Sequence, residues 1–230
     1  MTDRFVVGVD LGQAQDYTAI AVLEVLQHGE EEGYHLRHLE RPRLGTSYPD
    51  IVQRLLALLA TSPLIGCCEM VLDATGVGAP VVDLLRQAGL SLTAVTITGA
   101  DAATRGEGGG WRVPKRDLVS TLQVALQQGR FKVADGLALG DVFVRELLAF
   151  RVKINIATSH DSYEAWREGD HDDLVLAVAL ALWQARQGKA SVISSQRYGG
   201  TGEKARDLHF VDEKGDTWTY GPVGKIGGRK

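Results

Sequence analysis

Twice in this chain a short apolar run of β-favouring residues stops on an aspartate: Arg4-Phe5-Val6-Val7-Gly8-Val9-Asp10 and Glu69-Met70-Val71-Leu72-Asp73. Strands this apolar belong inside a sheet, and an ionised carboxylate at the end of a buried strand is costly unless a partner or a cation receives it. If the two strands are neighbours, both acids leave the sheet at one edge, where open α/β sheets form their crevices. The matched endings therefore lead to the expectation that these strands are neighbours and present their acids to a common cleft.

The rest of the pattern fits around such a sheet. Tyr17 to Val25 and Tyr34 to Leu39 read as a second and third strand joined by the polar turn Gln27 to Gly33, so three antiparallel strands open the chain. Helical spacing follows from Pro49 to Leu59, and Gly76-Val77-Gly78-Ala79-Pro80 leads into a helix ending near Ala88. Leu92 to Thr98 is a strand that the right-handed crossover rule makes parallel to the one before it. Residues 99–113, with Gly106, Gly108, Gly109 and Gly110, show no periodicity and read as a mobile loop. Pro114 starts a helix to about Gln128, Phe131 to Val133 reads as a short strand, Ala138 to Phe150 as a helix and Arg151 to Ile156 as an edge strand. An amphipathic helix from His171 to Arg186, capped by Asp170, is the last firm element. The expected class is α/β, a mixed sheet of about five strands flanked by helices. Residues 1–188 form this domain; 189–230 are a polar, glycine-rich tail or small appendage with a hairpin from Leu208 to Tyr220 turning at Lys214-Gly215.

Bulk properties narrow the function classes. With 230 residues and 44% hydrophobic composition, one core is the default. The longest apolar run, Leu174 to Trp183, is half of the roughly 20 residues a spanning helix needs. The start, Met1-Thr2-Asp3-Arg4-Phe5, lacks the profile of a secretory signal, so a cytoplasmic place is expected. Cys67 and Cys68 are adjacent, which suits neither a disulfide framework nor a metal cluster. The net charge of −4 hides an uneven distribution. Residues 105–153 and 186–230 each hold nine basic against five acidic residues, leaving seven against nineteen, or −12, elsewhere. Acids flanked by basic segments suit a metal-using enzyme acting on a polyanion, though solvated charged faces look similar.

Asp172 and Asp173, which open the helix Leu174-Val175-Leu176-Ala177-Val178-Ala179, add further carboxylates. Oxygen donors in this number suit Mg²⁺ or Mn²⁺. Each acid also has a structural explanation: Asp10 capping a turn, Asp73 ending a strand, Asp172 and Asp173 complementing a helix dipole.

Three segments together resemble a known family: Val9-Asp10-Leu11-Gly12 with Asp16-Tyr17-Thr18-Ala19-Ile20, Leu72-Asp73-Ala74-Thr75-Gly76-Val77-Gly78, and Gly169-Asp170-His171-Asp172-Asp173-Leu174-Val175. With Val113-Pro114-Lys115-Arg116-Asp117-Leu118-Val119 after the glycine-rich loop, the chain over residues 4–188 resembles the C-terminal nuclease domain of the phage terminase large subunit, of the RNase H-like and RuvC-like superfamily. The resemblance implies a metal-dependent endonuclease cleaving double-stranded DNA during phage packaging, with Asp10, Asp73 and the Asp172–Asp173 pair as catalytic metal ligands. Two Mg²⁺ or Mn²⁺ ions about 3.5–4 Å apart would activate the attacking water and stabilise the leaving 3′ oxygen. The adjacent helix acids point about 100° apart and are not ranked by sequence. His171 is a candidate auxiliary residue, and Arg105, Arg112, Lys115 and Arg116 are candidates for holding the DNA backbone. No Gly-x-x-x-x-Gly-Lys-Ser/Thr phosphate loop occurs, so the chain is expected to be either an excised domain or a stand-alone protein working beside a separate packaging ATPase or other phage packaging proteins.

Two other readings stand beside this one. Asp10-Leu11-Gly12 followed by Thr18 also resembles the first phosphate loop of actin-like ATPases and sugar kinases, although no second such signature follows. A non-catalytic RNase H-like scaffold binding nucleic acid or a packaging partner would not need several converging acids.

Overall fold

The computed structural model describes residues 4–12, 16–28, 31–76, 78–106, 109–150 and 172–187, and the backbone of short strands at 153–155, 160–162, 208–211, 217–220 and 226–227. Three antiparallel strands, β1 (Arg4–Asp10), β2 (Ala19–His28) and β3 (Glu31–Glu40), open the main sheet. On the other side of β1 follow β4 (Cys68–Asp73), β5 (Thr93–Thr98) and, after a short β6 (Thr104–Arg105), β7 (Trp111–Pro114), with β4, β5 and β7 parallel and β6 turned back antiparallel on β7. β8 (Phe131–Val133) pairs in parallel with β3, completing the order β6-β7-β5-β4-β1-β2-β3-β8.

The sheet is mixed and flanked by helices, as expected, but has eight strands rather than five. Part of the difference lies in residues 99–113. They are not only a loop, because β6 and all but the last residue of β7 fall inside them and Arg105 pairs with Trp111. Runs of two and four residues are too short to show a period-2 pattern, so nothing in the sequence distinguishes them from a loop. The strand expected at 151–156 is present as β9 (Lys153–Asn155), yet it pairs with β10 (His160–Ser162) in a separate two-stranded sheet and does not form an edge of the main one. The hairpin expected at 208–220 corresponds to β11 (Leu208–Val211) and β12 (Thr217–Tyr220), joined by β13 (Ile226–Gly227). The expected turn at Lys214-Gly215 lies outside the described residues.

Strand alternation sends successive side chains to opposite faces of the sheet. Phe5, Val7 and Val9 of β1, with Met70 and Leu72 of β4, pack under α1 (Tyr48–Leu59) and α2 (Gly78–Gln87). Val6 and Val71 point the other way, beneath α3 (Lys115–Gln127), α4 (Gly140–Ala149) and α5 (Asp173–Arg186). Gly8 and Asp10 share parity with Val6, and Asp73 shares it with Val71, so both acids belong to the face that α5 covers.

α5 lies against the middle of that face. The expected amphipathic helix is instead buried on all sides from Asp173 to Ala185, as a helix apolar all round must be. It begins at Asp173 with Asp172 as N-cap, while Asp170, the expected cap, lies outside the described residues. Its approach is close enough that a Cβ on Gly8 would meet the Ala177 carbonyl oxygen at 2.1 Å. Gly8 is thus where β1 gives way to α5, and the small Ala19 and Ala21 of β2 continue the same depression. At the far end of α5, Arg4 donates to the Ala185 carbonyl (2.6 Å), and the buried Glu69 accepts from Arg4 (3.3 Å) and from Gln184 (2.9 Å). Among the described residues no helix is long and apolar enough to cross a membrane.

Candidate active site

The β1–β4 register brings the two strand-ending acids together. Phe5 aligns with Cys68 and Val9 with Leu72, so the next step sets Asp10 beside Asp73 on the same face. Asp10 is buried, at 8% exposure, and Asp73 is half-buried at the rim. Asp73 Oδ1 accepts from both the backbone N–H (2.8 Å) and the hydroxyl (2.5 Å) of Thr75. The Ile97 N–H in turn donates to Thr75 Oγ1 at 2.9 Å, tying that turn to β5. On the other side of Asp10 the chain turns sharply. The Gly12 N–H donates to the Thr18 hydroxyl at 3.1 Å, and a Cβ on Gly12 would lie 2.1 Å from the Asp16 carbonyl oxygen.

Burial first, and then the charges of Asp73, Asp173 and Asp172, raise the Asp10 carboxyl well above its ordinary range, against a smaller opposing pull from Lys115. Burial likewise raises Asp73, against the Thr75 hydrogen bonds, a hydrogen bond with Asp10 and the charge of Lys115. Acids on three elements, β1, β4 and the start of α5, therefore feel one another in a poorly solvated place.

The helix acids are held by cations of the chain itself. Lys115, the first residue of α3, reaches Asp172 Oδ2 at 2.9 Å and lies 5.4 Å from the centre of the Phe150 ring. Arg41, just after β3, lies 3.5 Å from Asp173 Oδ2 and pairs closely with Glu146 Oε1 on α4. Glu146 uses its other oxygen to accept from the Leu174 N–H at 3.1 Å. Asp172 and Asp173 are thus distinguished by structure where sequence left them equal: Asp173 is buried beside Arg41, and its charge raises Asp10 more than that of the half-buried Asp172. Among the described residues no three His, Cys, Asp or Glu side chains are already drawn into a metal-binding group. With Lys115 and Arg41 in place, the acids are balanced by ammonium and guanidinium. Their donors are hard carboxylate oxygens, the kind that Mg²⁺ and Mn²⁺ prefer over nitrogen or sulfur.

Residues 7–184 match the family described as Terminase RNaseH-like domain. The chain belongs to that family. Among solved structures it is similar to the large terminase nuclease of the thermophilic phage G20c, at 26% identity over 79% of this chain and 82% of that one, with a TM-score of 0.59. The P22 large terminase nuclease domain shares the fold at 16% identity, covering 80% of this chain and 82% of its own, with a TM-score of 0.53. The nuclease domain of the large terminase g2p from bacteriophage SPP1, solved with bound Mn, shares it at 9% identity, 80% and 88% coverage and a TM-score of 0.50. A comparison with curated proteins found no match.

Within this RNase H-like terminase fold, the basic candidates fall into different places. Lys115 faces the acids. Arg116 pairs with Asp101, its carboxylate at 3.3 Å, on the exposed segment before β6. Arg105 lies over the Trp111 ring, its Cζ 3.9 Å from the centre, and Arg112 is exposed on β7. Arg105 and Arg112 belong to the β6–β7 ribbon at the edge of the sheet, and Arg116 sits at the start of α3. His171 lies outside the described residues. The sequence reading passed over Arg41, Glu146 and Thr75. Thr75 had a local signal, two residues after a strand-ending acid, where an Asx-type turn forms. Arg41 and Glu146 had none, since they meet across a separation of 105 residues.

Proposed function

We propose that this chain is a divalent-metal-dependent nuclease that cuts double-stranded DNA in phage genome packaging, with Asp10, Asp73 and the Asp172–Asp173 pair holding the metal and residues 1–188 forming the catalytic unit. The observation that carries the reading is the meeting of Asp10 and Asp73 on neighbouring strands with the acidic start of α5, in a chain of the terminase RNase H-like family. The metal donors fit: Asp10 is buried beside the charges of Asp73, Asp173 and Asp172, which raise its carboxyl, an arrangement that a divalent cation relieves. That a relative from SPP1 was solved with bound Mn supports the same choice of ion.

When bound there, divalent ions, two by analogy with the family scheme, supply an activated water and neutralise charge at the scissile phosphate. The chain's own part is positional. β1 and β4 fix Asp10 and Asp73 on rigid strands, and the surrounding core lowers the local dielectric, so each carboxylate attracts cations more strongly than in water. Lys115, whose ammonium lies 2.9 Å from Asp172, is placed to donate to a phosphate oxygen once Asp172 is otherwise engaged. Arg105, Arg112 and Arg116 hold the DNA backbone from the β6–β7 end of the sheet, and these residues contribute no translocation of their own.

The test is incubation of the purified chain with supercoiled plasmid and Mn²⁺ or Mg²⁺, with and without chelator. Cleavage that chelator abolishes, and that Asp10→Asn and Asp73→Asn each lower by at least about 100-fold, is the expected result, since removing a direct ligand costs no less than the 10–100-fold of an outer-sphere partner. Cleavage indifferent to chelator or to these substitutions contradicts the proposal.

A further inference from the structure

The Arg41–Glu146 pair is separate from the four acids proposed as ligands, and it joins three elements at one carboxylate. Glu146 projects from α4, Arg41 follows β3, and the Leu174 N–H belongs to the first turn of α5. The first N–H groups of a helix have no partner inside it, and α5 makes no side-chain cap bond from its own N-cap residue, Asp172. Glu146 supplies the missing acceptor from another helix, at 3.1 Å from the Leu174 nitrogen. Its second oxygen holds the Arg41 guanidinium, whose nitrogen is also 3.5 Å from Asp173 Oδ2. Glu146 and Asp173 are both buried, at 8% and 7% exposure, so neither charge is screened by bulk water. A carboxylate kept in such a place costs stability unless it is fully partnered, and the partners here all converge on the acidic end of α5.

We infer that Glu146 is a positioning residue of the site: by capping α5 and holding Arg41, it fixes how Asp173 is presented to a divalent ion and keeps Arg41 from taking that ion's place. The inference rests on the metal-site reading proposed above. Arg41 uses one guanidinium nitrogen toward both Asp173 and Glu146. Shared with Glu146, it balances two carboxylates. Without the Glu146 charge it would balance Asp173 alone and compete directly with an incoming cation.

Calorimetric titration of the full chain with Mn²⁺ tests this, with thermal unfolding recorded for each variant. Glu146→Gln keeps an oxygen for the Leu174 N–H but not the charge on Arg41; Glu146→Ala loses both. The expected Mn²⁺ affinity is about 10- to 100-fold weaker in Glu146→Ala, the range for loss of an outer-sphere partner, and weaker by a smaller factor in Glu146→Gln. Adding Arg41→Met to Glu146→Gln should return affinity toward wild type, because the competitor is gone. A purely structural role for Glu146 predicts no such rescue. If Glu146→Gln binds Mn²⁺ within twofold of wild type, or if Arg41→Met leaves its loss unchanged, the inference is overturned while the metal site stands. If wild type binds no Mn²⁺, the metal-site reading itself fails, and the inference with it.

Discussion

Asp10 and Asp73 repel each other where water screens them poorly, and the metal-free protein bears that cost. A carboxyl whose folded pKa stands above the unfolded value of about 3.9 weakens the fold at every pH above the folded value. The cost shrinks as pH falls through the raised value and vanishes below the unfolded one. Asp10→Asn should therefore melt above wild type at pH 7 without metal, by about 2–4 °C for each kcal/mol relieved, with the gain fading as the solution is acidified to pH 4 and below. Added Mn²⁺ should raise the wild-type melting temperature and leave Asp10→Asn nearly unmoved. A variant that melts below wild type at pH 7, or equally above it at every pH, contradicts the burial and repulsion assigned to Asp10. The Asp10 and Asp73 pairing was legible in the sequence because strand parity and a shared end position are local properties. Arg41 and Glu146 were not, since an arginine after a strand and a glutamate on a helix look like solvated charges until the fold brings them 105 residues together.

At the scale of elements, α5 carries the third set of acids to the ends of β1 and β4. Its position over β1 depends on Gly8, where an added methyl group would meet the Ala177 carbonyl and the Ala181 Cβ, the latter at 2.9 Å. Backbone and a packed alanine cannot swing aside as a flexible side chain can. Gly8→Ala should destabilise by about 1–3 kcal/mol or more through overpacking, and should also weaken Mn²⁺ binding by displacing Asp172 and Asp173. Chemical denaturation and metal titration of the variant check this; wild-type values in both would mean that α5 does not rest on β1 as described. The helix itself was visible in the sequence, but its apolar stripe suggested one buried side. The sheet, α3 and α4 pack against it, and it is buried all round, a property of tertiary packing that periodicity does not encode. The three opening strands and the β4–α2–β5 unit were legible for the opposite reason, since their patterns are local and their connections short.

For the whole molecule, the question is how an acidic centre coexists with a polyanionic substrate. The net charge is −4, yet residues 105–153 carry an excess of four positive charges, and among them Arg105, Arg112 and Arg116 cluster at the β6–β7 end of the sheet. Duplex affinity should fall steeply with salt and depend little on sequence. Arg116→Glu should weaken binding and reduce the salt slope by about one, whereas Lys115→Met, beside Asp172, should reduce cleavage more than binding. The opposite assignment of effects, measured by fluorescence anisotropy and plasmid cleavage, would place the DNA path elsewhere. The central claim, that acids from β1, β4 and α5 hold divalent ions jointly, is tested most directly by diffraction from crystals soaked in Mn²⁺ near its absorption edge. Anomalous density is expected within about 2.5 Å of carboxylate oxygens of Asp10 and Asp73 and of at least one of Asp172 and Asp173. Strong Mn²⁺ density elsewhere on the chain, with none between these acids, would contradict it.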